Sequence, residues 1–95
     1  MFSVAGQGLP YDDRMQCTVL FFAQARDLAK RDSMKIELPD NALLRDAIDA
    51  IMRAHAALLP LSERLAVAVD ERYAHLDSPL HEGCTIALIP PVSGG

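Results

Sequence analysis

The sequence has no apolar run near the ~18 residues that a membrane-spanning helix requires, so no membrane association is expected. Cations are also few. Nine Lys and Arg against thirteen Asp and Glu give a formal net charge of -4, and the nine are scattered from Arg14 to Arg72. Affinity for nucleic acid rests on clustered Lys and Arg, which argues against such a partner. The nearest approach to a cluster, Arg26, Lys30 and Arg31, is interrupted by Asp27 and Asp32 and reads as a solvated face.

Two cysteines, Cys17 and Cys84, are too few for a disulfide scaffold, and in a reducing compartment they act as small buried apolar side chains. A zinc site needs four ligands. The one close pair, His81 and Cys84, has no second half at matching spacing, so no metal is expected. His55 falls at a helix end and His75 in a predicted strand, both as rim or surface residues. Ser62, Ser78 and Ser93 have no His and Asp in a triad-like arrangement, and the chain carries no phosphate-binding loop. The opening MFSVAGQGLPYDDR lacks the basic segment and apolar core of a secretory signal, and a cytoplasmic location is therefore expected.

What is present suits one small domain. A chain of 95 residues buries roughly 60 to 68% of the surface its unfolded form exposes, too little to divide between two cores. Residues 1–14 carry Gly6, Gly8 and Pro10 without periodicity and read as a flexible N-terminal extension to a domain spanning 15–95. Met15 to Phe22 is rich in β-branched and aromatic residues and reads as a strand. AQARDLAK gives a short helix with Ala25, Leu28 and Ala29 inward, and Met34 to Leu38 alternates as a second strand ended by Pro39. Asp40 or Asn41 can cap a long helix with Leu44, Ala47, Ile48, Ile51 and Met52 on its apolar stripe. Pro60 and Leu61 close the connection after it. LAVAVDERYAH then reads as a hairpin turning near Asp70 and Glu71, and Gly83 suits a positive φ before a last strand, Thr85 to Ile89.

Two β-rich halves around one helix describe an α+β fold of the β-grasp type, with a mixed sheet of four or five strands and one long helix on one face. Such a helix leaves the other face of the sheet uncovered. Period-two alternation places Val19, Phe21, Ile86 and Leu88 toward the helix, and leaves Leu20, Phe22 and Ile89, with Tyr73 beside them, as an apolar patch of the kind that marks an association surface. Pro90 and Pro91 have no N–H and end the last strand's ladder. Beyond them Val92 to Gly95 reaches on the order of 13 to 14 Å, enough to enter another protein's active site. There Gly94 and Gly95, lacking a Cβ, let a narrow channel grip the backbone and bring a carboxylate to a reacting atom.

LFFAQARDL near the start, DSPLHEGCTIALIPPVSGG at the end and one helix between them resemble the small-subunit family of molybdopterin synthase, ubiquitin-like sulfur carriers. The likeness runs from Met15 to Gly95, and PPVSGG is its most specific part. It implies that Gly95 is adenylated by a partner resembling ubiquitin-activating enzymes, which uses ATP, and is then thiocarboxylated by a sulfur donor protein. It further implies docking on a large catalytic subunit in a heterotetramer, with sulfur passing to a pterin precursor. Pro90, Pro91, Val92, Ser93 and Gly94 would form the tail guided through the partner's channel. Phe22, Tyr73 and Ile89 would supply apolar contacts, and Arg26 a basic docking position. No cofactor bound by the chain itself is implied. Tyr73 departs from the aliphatic residue expected there, and the DER turn from a more amide-rich one. Two alternatives remain at this level: a sulfur carrier for thiazole synthesis or tRNA thiolation, whose tail also ends in Gly-Gly, and a β-grasp binding module with an inert tail.

Overall fold

The computed structural model describes residues 14–91. Residues 1–13 of the expected extension and residues 92–95 of the tail lie outside the described residues. Arg14, expected in the extension, is instead the first residue of a strand: it pairs with Pro39, and its guanidinium meets Glu37 at 2.8 Å. That strand, β1 (Arg14–Phe21), runs beside β2 (Ser33–Pro39) in antiparallel register from Arg14↔Pro39 to Leu20↔Ser33. On its other side β1 pairs in parallel with β5 (Thr85–Ile89), and β5 pairs antiparallel with β3 (Ala66–Val69), which carries the short β4 (Arg72–Tyr73). The mixed sheet has the order β2-β1-β5-β3-β4, the β-grasp arrangement expected from the sequence.

Between the sheet's two parallel strands the chain must cross over, and that crossover carries the helices. Helix α1 (Ala23–Ala29) buries Ala25 and Ala29 and ends on Lys30 in the left-handed region, whose N–H donates to the Arg26 carbonyl at 2.8 Å. Helix α2 (Leu44–Ala54) buries Leu44, Ala47, Ile51 and Met52, which follow the expected apolar stripe. Its start differs from expectation. Asp40 and Asn41 lie in a turn closed by Ala42 N–H donating to the Pro39 carbonyl at 3.0 Å, and Leu43 is the residue that precedes the helix. A side-chain cap is unnecessary because the loop around residues 76–78 supplies the acceptors: Leu44 N–H donates to the Ser78 carbonyl and Arg45 N–H to that of Leu76, each at 2.9 Å. Asp46 Oδ2 also accepts from Leu43 N–H at 2.8 Å. The connection after α2, expected only to be closed by Pro60 and Leu61, is a 3-10 helix (Ala56–Leu61) that drives Leu58 and Leu61 into the core.

The covered face is as the alternation requires. Met15, Cys17, Val19 and Phe21 of β1 and Ile86 and Leu88 of β5 are at most 2% exposed, and all belong to one core with the helices. His55, at the end of α2, is half-buried with its ring edge-on to Phe21, centroids 5.7 Å apart. His75 is not in a strand, since β4 ends at Tyr73; its N–H donates to Ser78 Oγ in the following loop. Cys17 and Cys84 are buried free thiols with sulfurs 3.1 Å apart. Burial, and then the neighbouring Cys84 thiol, push the Cys17 thiol up to about 12. Among the described residues, no helix is long and apolar enough to cross a membrane.

Three positive-φ residues fix two of the strand connections. Gly83 takes φ +80 before β5, and a Cβ there would meet nothing within 4 Å, so conformation and not space calls for glycine. In the β3–β4 turn Asp70 and Glu71 both take positive φ, 51° and 72°, the signature of a type I′ hairpin. Asp tolerates this region; a long side chain such as Glu71 does so at a cost of order 1 kcal/mol.

Glu71→Gly is therefore expected to raise stability by about 1 kcal/mol, read as a higher urea midpoint with an unchanged slope; a destabilised variant would contradict the positive φ. The two thiols are expected to resist an aromatic disulfide reagent in the native protein near pH 8 and to react in full once the chain is unfolded, because both are buried from the reagent and burial holds Cys17 as the unreactive thiol.

Candidate functional site: the open face of the sheet

The registers align one cross-sheet row on the face that the helices leave open. Leu20 of β1 stands beside Ala87 of β5, Ala87 beside Ala68 of β3, and Ala68 beside Tyr73 of β4. Two alanines between two large side chains make a trough. Its volume is about 710 Å³, and Phe22, Ile89, Thr85, Asp70 and Glu71 complete the lining. Three of the residues expected to meet a partner, Phe22, Tyr73 and Ile89, are thus brought to one concave surface. Phe22 is 45% exposed and Tyr73 78%, large values for apolar and aromatic groups without a role in solvent.

Phe22 reaches this place differently from the way alternation suggests. It lies one residue past the end of β1, as the extended residue before α1, and its carbonyl accepts from Ala25 and Arg26 N–H at 2.9 and 3.3 Å. The strand ends there because Ala23, at φ 50°, turns the chain into the helix. Arg26, the expected docking cation, stands one helical turn further on, outside the trough lining, with its side chain exposed and 3.9 Å from Asp32. Ile89 closes β5 at the other end, followed by a buried Pro90 and an exposed Pro91. Val92, Ser93, Gly94 and Gly95 lie outside the described residues.

Sequence reasoning had assigned no role to Ala68 and Ala87. The signal that could have found them is in the strands themselves: LAVAV and TIALI alternate small with large, so the face opposite the core carries the small partner. Also absent from the expected site is its acidic end. Asp70 Oδ1 accepts from Thr85 N–H at 3.0 Å, and Asp70 Oδ2 lies 2.5 Å from His81 Nε2. These contacts, the Thr85 N–H first, hold the Asp70 carboxyl below the ordinary carboxylate range, and Asp70 in turn raises His81. From the sequence His81 stands out only beside Cys84, as half of a metal pair. Its ring turns instead to the hairpin, and among the described residues no three His, Cys, Asp or Glu side chains converge as a metal site.

The surface is therefore an apolar trough with an acidic end, lying beside the strand that leads into Pro90 and Pro91. It has the form of an apolar contact surface. Residues 19–95 match the model of the ThiS family. The molybdopterin synthase sulfur carrier subunit of Chlamydomonas reinhardtii is 35% identical over 83 residues, covering 85% of this chain and 100% of that protein. Among solved structures, SAMP1 from Haloferax volcanii superposes with a TM-score of 0.76 at 28% identity, covering 84% of this chain and 99% of that one. The protein-protein complex of subunits 1 and 2 of the molybdopterin-converting factor from Helicobacter pylori contains a chain with a TM-score of 0.62 at 29% identity, covering 85% of this chain and 100% of that one. With its β-grasp sheet, its matched length and its likeness to these carriers, the chain belongs to the ThiS family, alongside the molybdopterin synthase sulfur carrier subunits.

Proposed function

We propose that this protein is the sulfur carrier subunit of a molybdopterin synthase, a co-substrate that docks through its open sheet face and delivers sulfur on its C-terminal glycine. The observation that carries the reading is the trough formed by Leu20, Ala87, Ala68 and Tyr73 beside the strand that feeds the PPVSGG segment. Relatives named for this role support it, and the complex of subunits 1 and 2 in Helicobacter pylori supports a large subunit as the occupant of the face. An apolar partner segment over the two alanines would be anchored by Phe22, Ile89 and Tyr73. Its cationic groups would meet Asp70 and Glu71, and its acidic groups Arg26.

The chemistry belongs to the tail. A carboxylate is a poor acyl donor and needs activation: a carboxylate oxygen of Gly95 attacks the α-phosphorus of ATP on an adenylating partner, and pyrophosphate leaves. Sulfide-level sulfur released by a donor protein then attacks the acyl carbon; the C–S bond forms as the C–O bond to AMP breaks, giving the thiocarboxylate and free AMP. A thio acid is far more acidic than a thiol, so this group is an anion at neutral pH and acts as a nucleophile without a neighbouring base. That accounts for a chain whose described residues bring no nucleophile and base together. ATP is consumed on the partner, and this chain itself holds no cofactor. Gly94 and Gly95 admit the tail to a channel that any Cβ would obstruct. This chemistry takes place among cytoplasmic partners.

Ile89→Asp is expected to leave the circular dichroism spectrum and melting transition near wild type, since Ile89 is only half-buried, yet to abolish co-purification with the large subunit, because an unpaired carboxylate on an apolar contact costs several kcal/mol. Normal binding by that variant would remove the open face from the docking reading. One residue added after Gly95 should eliminate sulfur transfer with folding and docking intact. Incubation with activating enzyme, ATP and sulfur donor, followed by mass spectrometry, should show oxygen replaced by sulfur at the terminal carboxyl of the wild type only. A wild type that gains no sulfur, or an extended variant that still makes molybdopterin, would overturn the mechanism.

A further inference from the structure

The ring of His81 sits between two acceptors. Nε2 lies 2.5 Å from Asp70 Oδ2, and Nδ1 lies 2.9 Å from the carbonyl oxygen of Glu82. A neutral imidazole has one N–H and satisfies one of them; only the imidazolium donates to both. On the other side of this contact, Asp70 is held three times: its N–H donates to the Thr85 carbonyl at 2.9 Å, its Oδ1 accepts from Thr85 N–H at 3.0 Å, and its Oδ2 accepts from the protonated His81 Nε2. The residue so clamped begins the turn in which Glu71 takes φ 72°. Backbone strain of that kind persists where the surroundings over-determine it, and it gathers at functional positions. Beyond the turn lie only two strand residues, Arg72 and Tyr73, so the hairpin that places Tyr73 over the trough is held by this clamp at its turn and by Ala74 N–H donating to the Val67 carbonyl at 3.0 Å at its open end.

We propose that His81 and Asp70 form a positioning latch for the docking face: the protonated ring fixes the Asp70–Glu71 turn, and with it Glu71 and Tyr73, in the conformation that receives the partner. The inference rests on the docking reading above and adds to it a residue, His81, that lies outside the trough lining. The ionisable groups around the ring are few. Asp70 faces it from the hairpin, and the adjacent Glu82 turns its carboxylate to β1, where Oε1 accepts from Gln16 N–H at 2.9 Å. From the core side Cys17 Sγ lies 3.9 Å from the His81 carbonyl and Cys84 follows in the chain; burial keeps the Cys17 thiol protonated across the neutral range.

The direction of the pH effect follows. His81 is raised above its ordinary 6.5, chiefly by its hydrogen bond to Asp70, so the latch is fully formed below that value and is lost as pH rises through the raised pKa. Asp70 is lowered from its ordinary 3.8, so its share is lost only as pH falls through a still lower value, outside the working range. Both side chains are substantially exposed, 65% and 44%, and solvent limits the effect to the range of a surface ion pair.

The test measures binding of the full chain to its molybdopterin synthase large subunit from about pH 6 to about pH 9, with His81→Gln and Asp70→Asn as comparisons. Wild type is expected to weaken about two- to fivefold across the range relative to both variants, each of which lacks the imidazolium–carboxylate contact. In a partner-free NMR titration, the Asp70, Glu71 and Tyr73 amides are expected to move with the His81 midpoint in wild type. That midpoint should fall in Asp70→Asn. Identical pH profiles in wild type and His81→Gln, or hairpin amides indifferent to the His81 titration, would overturn the latch while leaving the docking reading standing. A wild type that fails to bind the large subunit at every pH would instead overturn the docking reading, and this inference with it.

Discussion

The parallel pairing of β1 with β5 is the constraint on which the rest depends. It joins residues about two-thirds of the sequence apart, Thr18 with Thr85 through Phe21 with Leu88. Its successive pairs alternate between two surfaces. Val19 with Ile86 and Phe21 with Leu88 form the buried centre under the helices, while Leu20 with Ala87 forms one side and part of the floor of the trough. A slip of one residue would send phenylalanine and leucine into water and the alanine into the core. The register that makes the protein fold is thus the one that makes its open trough.

Much of this was legible in the sequence because both strands are short, apolar and bounded by residues with one physical meaning. Gly83 fixes the entry to β5, Pro90 and Pro91 fix its end, and the alternation between them assigns each face. The stripe on α2 and the turn at Asp70 and Glu71 were legible for similar reasons. What escaped was set by distant contacts. The start of α2 went astray because its N–H groups find carbonyls of Leu76 and Ser78, some thirty residues away, whereas a capping side chain would have been local. The 3-10 helix carries no strong period of its own, and it forms because Leu58 and Leu61 find room in the core. His75 fell outside a strand because β4 stops after two residues.

The candidate site divides along the same line. Large residues on the open face announced themselves; the alanines between them did not, since a small side chain signals nothing until its neighbours are known. The His81–Asp70 contact spans a loop and a hairpin turn, and neither residue's environment follows from its flanking sequence. Arg26 lies at the margin because α1 turns its Ala25 and Ala29 into the core and leaves Arg26 on its exposed side, outside the trough lining.

The central position of β5 bears on how such a chain matures. A strand at the edge of a sheet can fray or join late without disturbing the rest, but β5 lies between β1 and β3, and neither the core nor the sheet is continuous without it. Pairings between segments so far apart in sequence carry a large loop-closure cost and form slowly. The segment after Ile89 is therefore anchored only when the whole domain has closed around the strand that bears it. A partially folded chain would hold that segment on no formed sheet, so closure of the domain comes before Pro90 and Pro91 take their places at its margin.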